Sequence, residues 1–86
     1  MFKILRSSRE YGIVYLVSGR IDEDAVSELR RLFDLDSAGN RLILDLKSVR
    51  LVQAEAVEFL AQCEDAEIEI RNCPTYLRKW IDRSRR

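Results

Sequence analysis

The chain contains no histidine. That absence removes the side chain used most often as a general base near neutral pH and as a metal ligand. Glycine is scarce: Gly12, Gly19 and Gly39 stand far apart and form no phosphate-cradling loop. The two cysteines, Cys63 and Cys73, are too few for a disulfide framework and sit in no CxxC motif. They read as buried, reduced thiols. Net charge is also lacking, with 15 basic side chains against 15 acidic ones. A nucleic-acid binder is usually clearly basic, so no nucleic-acid partner is expected. No apolar run approaches membrane-spanning length, and the opening MFKILR is too short and too charged for a signal peptide. These features predict a cytoplasmic protein without membrane insertion, metal or cofactor.

What remains is enough for one small core. A chain of 86 residues with 47% hydrophobic side chains suits a single domain. Phe2 and Ile4 alternate with Lys3 in a short first strand. The polar stretch from Ser7 to Gly12 reads as a hairpin-like turn. Ile13 to Val17 is a continuous run of β-branched, aromatic and aliphatic residues, expected as a central strand that Gly19 ends.

Asp22 is placed to cap a helix, and Glu23 and Asp24 suit its positive end. Ala25, Val26, Leu29, Leu32 and Phe33 recur at helical spacing and form its buried stripe. A loop over 36–40 leads to a third strand, Arg41 to Asp45. Lys47 and Ser48 read as a polar turn, followed by an apolar patch at Val49, Leu51 and Val52.

A second helix is expected from about Ala54 to Glu64. Val57, Leu60 and Ala61 mark its buried face. Glu55, Glu58 and Gln62 share the solvated face, and Phe59 lies at the border. Glu67 to Arg71 alternates as a fourth strand. Pro74 opens a last helix, with Tyr76, Leu77, Trp80 and Ile81 as its apolar stripe. The basic tail over 82–86 is expected to fray.

The predicted order is β-β-α-β-α-β-α: an α/β domain with a mixed sheet and helices mainly on one face. Helix crossovers imply parallel pairing among the later strands. The expected core includes Val14, Leu16, Leu29, Leu42, Ile43, Leu44, Leu60 and Trp80.

The residues around the third strand carry a resemblance. Gly19-Arg20-Ile21-Asp22 closes one strand, Leu42-Ile43-Leu44-Asp45-Leu46 forms the next, and Val49 and Val52 precede a helix. This pattern resembles the STAS domain, the family of anti-sigma-factor antagonists. Family members typically show Asp-Leu-Ser-x-Val here. Asp45, Leu46 and Val49 match, and Lys47 replaces the serine. At the helix start the family has Asp-Ser-Ser/Thr-Gly, where this chain has Gln53-Ala54-Glu55-Ala56. The resemblance therefore puts Glu55 at the position of the phosphoacceptor.

In that family, an anti-sigma factor of serine-kinase type phosphorylates the position and so breaks the complex. Glu55 cannot be phosphorylated. It carries about one negative charge, against roughly 1.5 to 2 for phosphoserine, and would present a fixed, partial substitute. It also serves as an ordinary first-turn acid. The two roles are compatible.

The resemblance implies non-catalytic protein–protein recognition in bacterial signalling. The expected surface is the loop over 46–53, containing Ser48 and Gln53, with Ala54, Glu55, Glu58, Phe59 and Gln62. Two other classes stand beside it: a carrier of a small ligand such as a nucleotide or lipid, and a small enzyme using thiol or carboxylate chemistry. Charge is also segregated along the chain. Residues 53–69 hold six acids and no base, and residues 71–86 hold six bases against Asp82. Such runs usually form solvated faces, and they can also steer a partner.

Overall fold

Half-buried and buried positions alternate through the first seven residues of the second strand, and this alternation organises the fold. The computed structural model describes residues 1–84. In them, β1 (Phe2–Arg9), β2 (Gly12–Ile21), α1 (Glu23–Asp36), β3 (Leu42–Val52), α2 (Ala54–Asp65), β4 (Glu69–Arg71) and α3 (Thr75–Ser84) follow in order. The predicted order is the observed one. The sheet runs β1-β2-β3-β4, with β1 antiparallel to β2 and the other neighbours parallel.

Ile13, Tyr15, Val17 and Ile21 point from β2 into the helix-covered core. Leu42, Leu44, Leu46, Val49 and Val52 do so from β3. Ala25, Leu29 and Phe33 of α1, Val57 and Leu60 of α2, and Leu77 and Ile81 of α3 close over them. All three helices thus share one face of the sheet. Val14 and Leu16 were expected in this core, but they lie on the opposite face and are half-buried. A continuous apolar run carries no phase, so the landing site of the helices decides which alternate set is covered. Ile43, in register with Val14, is fully buried without joining the helix-side cluster.

All four strands differ from expectation at a boundary. β1 continues through Ser7 and Ser8 to Arg9, because each of these residues pairs with β2; only Glu10 and Tyr11 turn. Gly19 lies within β2 rather than ending it. Its φ is +85°, and a Cβ there would stand 2.5 Å from the Met1 carbonyl oxygen. The largest difference is β3, whose expected turn at Lys47 and Ser48 is strand. The register shifts between Leu16 and Ser18 and again between Gly19 and Arg20. Each shift inserts an extra residue into β3, so the strand passes Lys47 and Arg50 without leaving the sheet.

β4 is shorter than expected, starting at Glu69. Before it, the amide of Ile68 donates to the Cys63 carbonyl (2.9 Å) and that of Glu67 to the Glu64 carbonyl (3.0 Å). With Glu67 at φ +65°, this closes α2 in a left-handed C-terminal cap. Of the expected tail, residues 82–84 are helical, and Arg85 and Arg86 lie outside the described residues.

Candidate functional site

Two strand-to-helix junctions meet at the C-terminal end of the parallel strands. Ile21 pairs with Val52, and the Gln53 amide donates to the Ile21 carbonyl at 3.0 Å. That bond sets the start of α2 beside the start of α1. The two helix starts are built differently. Asp22 caps α1 through its side chain, which accepts from the Ala25 amide at 3.0 Å. This bond is the first cause of the lowered Asp22 pKa. Gln53 caps α2 with its backbone alone: its carbonyl accepts from the Ala56 amide at 2.9 Å, and its side chain makes no cap bond. The first turns carry Glu23 and Asp24 on α1 and Glu55 on α2. This end of the molecule is therefore acidic, as the helix dipoles favour.

The structure separates the residues expected to act together. Ala54, Glu55 and Glu58 are exposed at the start of α2. Among the described residues, neither Glu55 nor Glu58 has an ion-pair partner. Gln62 is exposed but committed to α1, since its Oε1 accepts from Arg30 Nη2 at 3.1 Å. Phe59, expected at the border, is 4% exposed. It stacks on Phe33 at 6.2 Å and is covered by the Arg30 guanidinium at 4.9 Å, so α1 takes up the ring. Ser48 is an exposed strand residue in register with Ser18. At about 3.3 Å per residue it stands roughly 13 Å before the end of β3, outside any loop into α2.

Sequence reasoning missed a neighbouring feature. Ala54, Val57 and Glu58 of α2 face Trp80, Arg83 and Ser84 of α3 across a groove of about 430 Å³. Trp80, expected in the core, is 44% exposed, and Tyr76 is 46% exposed with its ring edge-on to Trp80 at 6.2 Å. The signal was present in the sequence. α3 carries two adjacent i, i+4 pairs, Tyr76/Trp80 and Leu77/Ile81. Only one can face the core, and the aliphatic pair does.

At the opposite end, the helix C-termini frame a larger cleft. About 640 Å³ lies between Phe33, Asp34, Asn40, Arg41, Glu67 and Ile68, and a hollow of about 300 Å³ continues past Arg30 and Gln62. Its two arginines are committed: Arg30 to Gln62 and Arg41 to Glu69. Arg41 and Arg71 both pair with Glu69, and their guanidinium groups hold its carboxyl below the usual range, Arg71 contributing most. Nearby, Asp36 accepts two bonds from Arg6, at 2.8 and 2.9 Å, and one from the buried Tyr15 hydroxyl. Arg6 first, then Tyr15, lowers the Asp36 pKa. Burial first, then Asp36, raises that of Tyr15.

The segregated charge runs also meet. Arg78 of α3 holds Glu64 of α2 through two bonds of 3.0 and 2.7 Å and lies 3.6 Å from Asp82. Both cysteines are free, and burial pushes the Cys63 thiol up to about 12 and raises that of Cys73. Neither thiol is thus ionised at neutral pH. Among the described residues, no histidine, cysteine and carboxylate group is arranged to hold a metal. No helix among them is long and apolar enough to cross a membrane. Compared with known proteins, the chain matches no family model and no curated sequence.

Proposed function

We propose that this chain is a non-catalytic protein-recognition module of bacterial signalling, of the anti-sigma-factor-antagonist type, acting in the cytoplasm. Its partner is a protein resembling the serine-kinase anti-sigma factors, and its contact surface is the start of α2. The observation that carries the reading is Glu55: a solvated acid in the first turn of α2, at the position where the STAS resemblance puts the phosphoacceptor. Its charge is uncommitted among the described residues, so it is available to a partner. The acids at the start of α1 extend the negative surface towards a partner with complementary basic side chains.

The strand order also supports recognition over small-ligand carriage. Open α/β sheets place ligands where the strand order reverses. Here β2, β3 and β4 succeed one another in space without reversal, and α1 and α2 lie on the same face. The cleft between the helix C-termini favours the second reading, a small-ligand carrier, but its arginines already hold Glu69 and Gln62. Purification from the native cell followed by mass spectrometry under native and denaturing conditions separates the two. A co-purifying protein of the anti-sigma class, released by changes at Glu55, supports recognition. A stoichiometric small molecule without such a protein overturns it in favour of the carrier.

A further inference from the structure

We propose that the groove between α2 and α3 is self-complementary and docks a second copy of this chain about a twofold axis. Glu58 forms part of the α2 wall and Arg83 part of the α3 wall. Ala54, Val57 and Trp80 supply the apolar surface between them. Among the described residues, neither Glu58 nor Arg83 has an ion-pair partner, in contrast to Glu64 and Arg78 farther along the same two helices. The helices run antiparallel, since Arg78 lies against the end of α2 and Trp80 and Arg83 lie against its start.

A twofold axis through the groove sets α2 of one copy over α3 of the other. Glu58 then meets Arg83 of the second copy, and symmetry repeats the pair. A foreign partner would have to bring both charges in the opposite arrangement, whereas this surface already carries both. Trp80 and Tyr76 are of the residue types enriched at interface centres, and both stand exposed beside the groove. Zero net charge removes long-range repulsion between copies. The alternative self-contact, edge to edge along β1, would bring Lys3, Arg6 and Arg9 together with no acid in the strand.

The groove shares Ala54 and Glu58 with the proposed recognition surface, but the test uses the purified chain alone, so its failure leaves the recognition reading standing. Trp80 is the only tryptophan and reports directly on the groove. Analytical ultracentrifugation should give twice the 10.1 kDa of one chain. On serial dilution the Trp80 emission should shift to the red as the dimer parts. Glu58→Arg and Arg83→Glu should each weaken association about tenfold, since each loses two ion pairs and sets like charges together. The double exchange should restore it. Circular dichroism checks that the variants are folded, and the wild-type dilution series needs no variant. A monomer at every concentration overturns the proposal. A dimer indifferent to both single exchanges, or one that the double exchange fails to restore, also overturns it by placing the contact elsewhere.

Discussion

The two ends of the parallel strands differ in how their charges are held. At the end where the helices finish, the cleft is large and its basic groups are engaged, Arg41 with Glu69 and Arg30 with Gln62 and the Phe59 ring, and nearby Asp36 is held by Arg6 and Tyr15. Where α1 and α2 begin, the groove is smaller, but Glu55, Glu58 and Arg83 are uncommitted among the described residues. Concavity alone points to the end opposite the proposed contact surface. A side chain already paired within the fold must break that pairing to serve a ligand, whereas an uncommitted charge on a rigid helix is ready for a partner. The helix dipoles reinforce the contrast, because first-turn acids are stabilised in place without an arginine to pair them.

The contrast is broken most severely by removing what both ends share. Leu44 is fully buried beneath the helices, and Leu44→Ala should cost about 2–5 kcal/mol in urea unfolding, from lost transfer energy plus a cavity. A cost well below that would mean that the layer is not packed as described. A smaller effect belongs to the engaged end. Tyr15→Phe removes a buried donor to a carboxylate and should cost about 1.5–3 kcal/mol.

The same network sets an acid dependence. The folded Asp36 pKa is depressed below its unfolded value of about 3.9. Its contribution is therefore complete above that value and is lost as pH falls through the depressed folded one. Unfolding of wild type and Asp36→Asn measured from neutral pH downwards should differ near neutrality and converge below about pH 4. A gap that stays constant would remove Asp36 from the account.

Smaller still is the expected effect at the uncommitted end. Glu55→Ser should change stability by only about 0.5 kcal/mol, as an exposed first-turn acid. A cost comparable to that of Tyr15→Phe would mean that Glu55 is structural. The last effect is nil: incubation with an anti-sigma kinase and ATP should leave residues 53–57 unmodified, since none carries a hydroxyl. Stoichiometric phosphate mapped to Ser48 would show a switch relocated into β3.

Much of the fold was legible because periodicity and capping are local. Asp22 as a cap, the stripe of α1 and the extent of α2 follow from residues within a few turns. Strand limits depend on pairing, which is not local. β3 passes Lys47 and Arg50 by bulging, and a bulge breaks the alternation by which a strand is recognised. Val14 and Leu16 could not be distinguished from Ile13, Tyr15 and Val17 until the helices had chosen a face. At the site, the exposure of Glu55 and Glu58 could be read from helical spacing. The capture of Phe59 and Gln62 by α1 could not, because it depends on Arg30 arriving from another element. The groove formed with Trp80 and Arg83 is likewise a meeting of two helices that no single stretch encodes.

The central claim is that Glu55 speaks to a partner rather than to the fold. Calorimetric titration of a cognate anti-sigma partner with wild type, Glu55→Ser and Glu55→Gln at one salt concentration tests it directly. A partner that prefers the unmodified form should bind both variants more tightly than wild type, and one that reads the phosphorylated form should bind both more weakly. Equal affinities for all three proteins would contradict the claim and leave Glu55 as a helix-start acid alone.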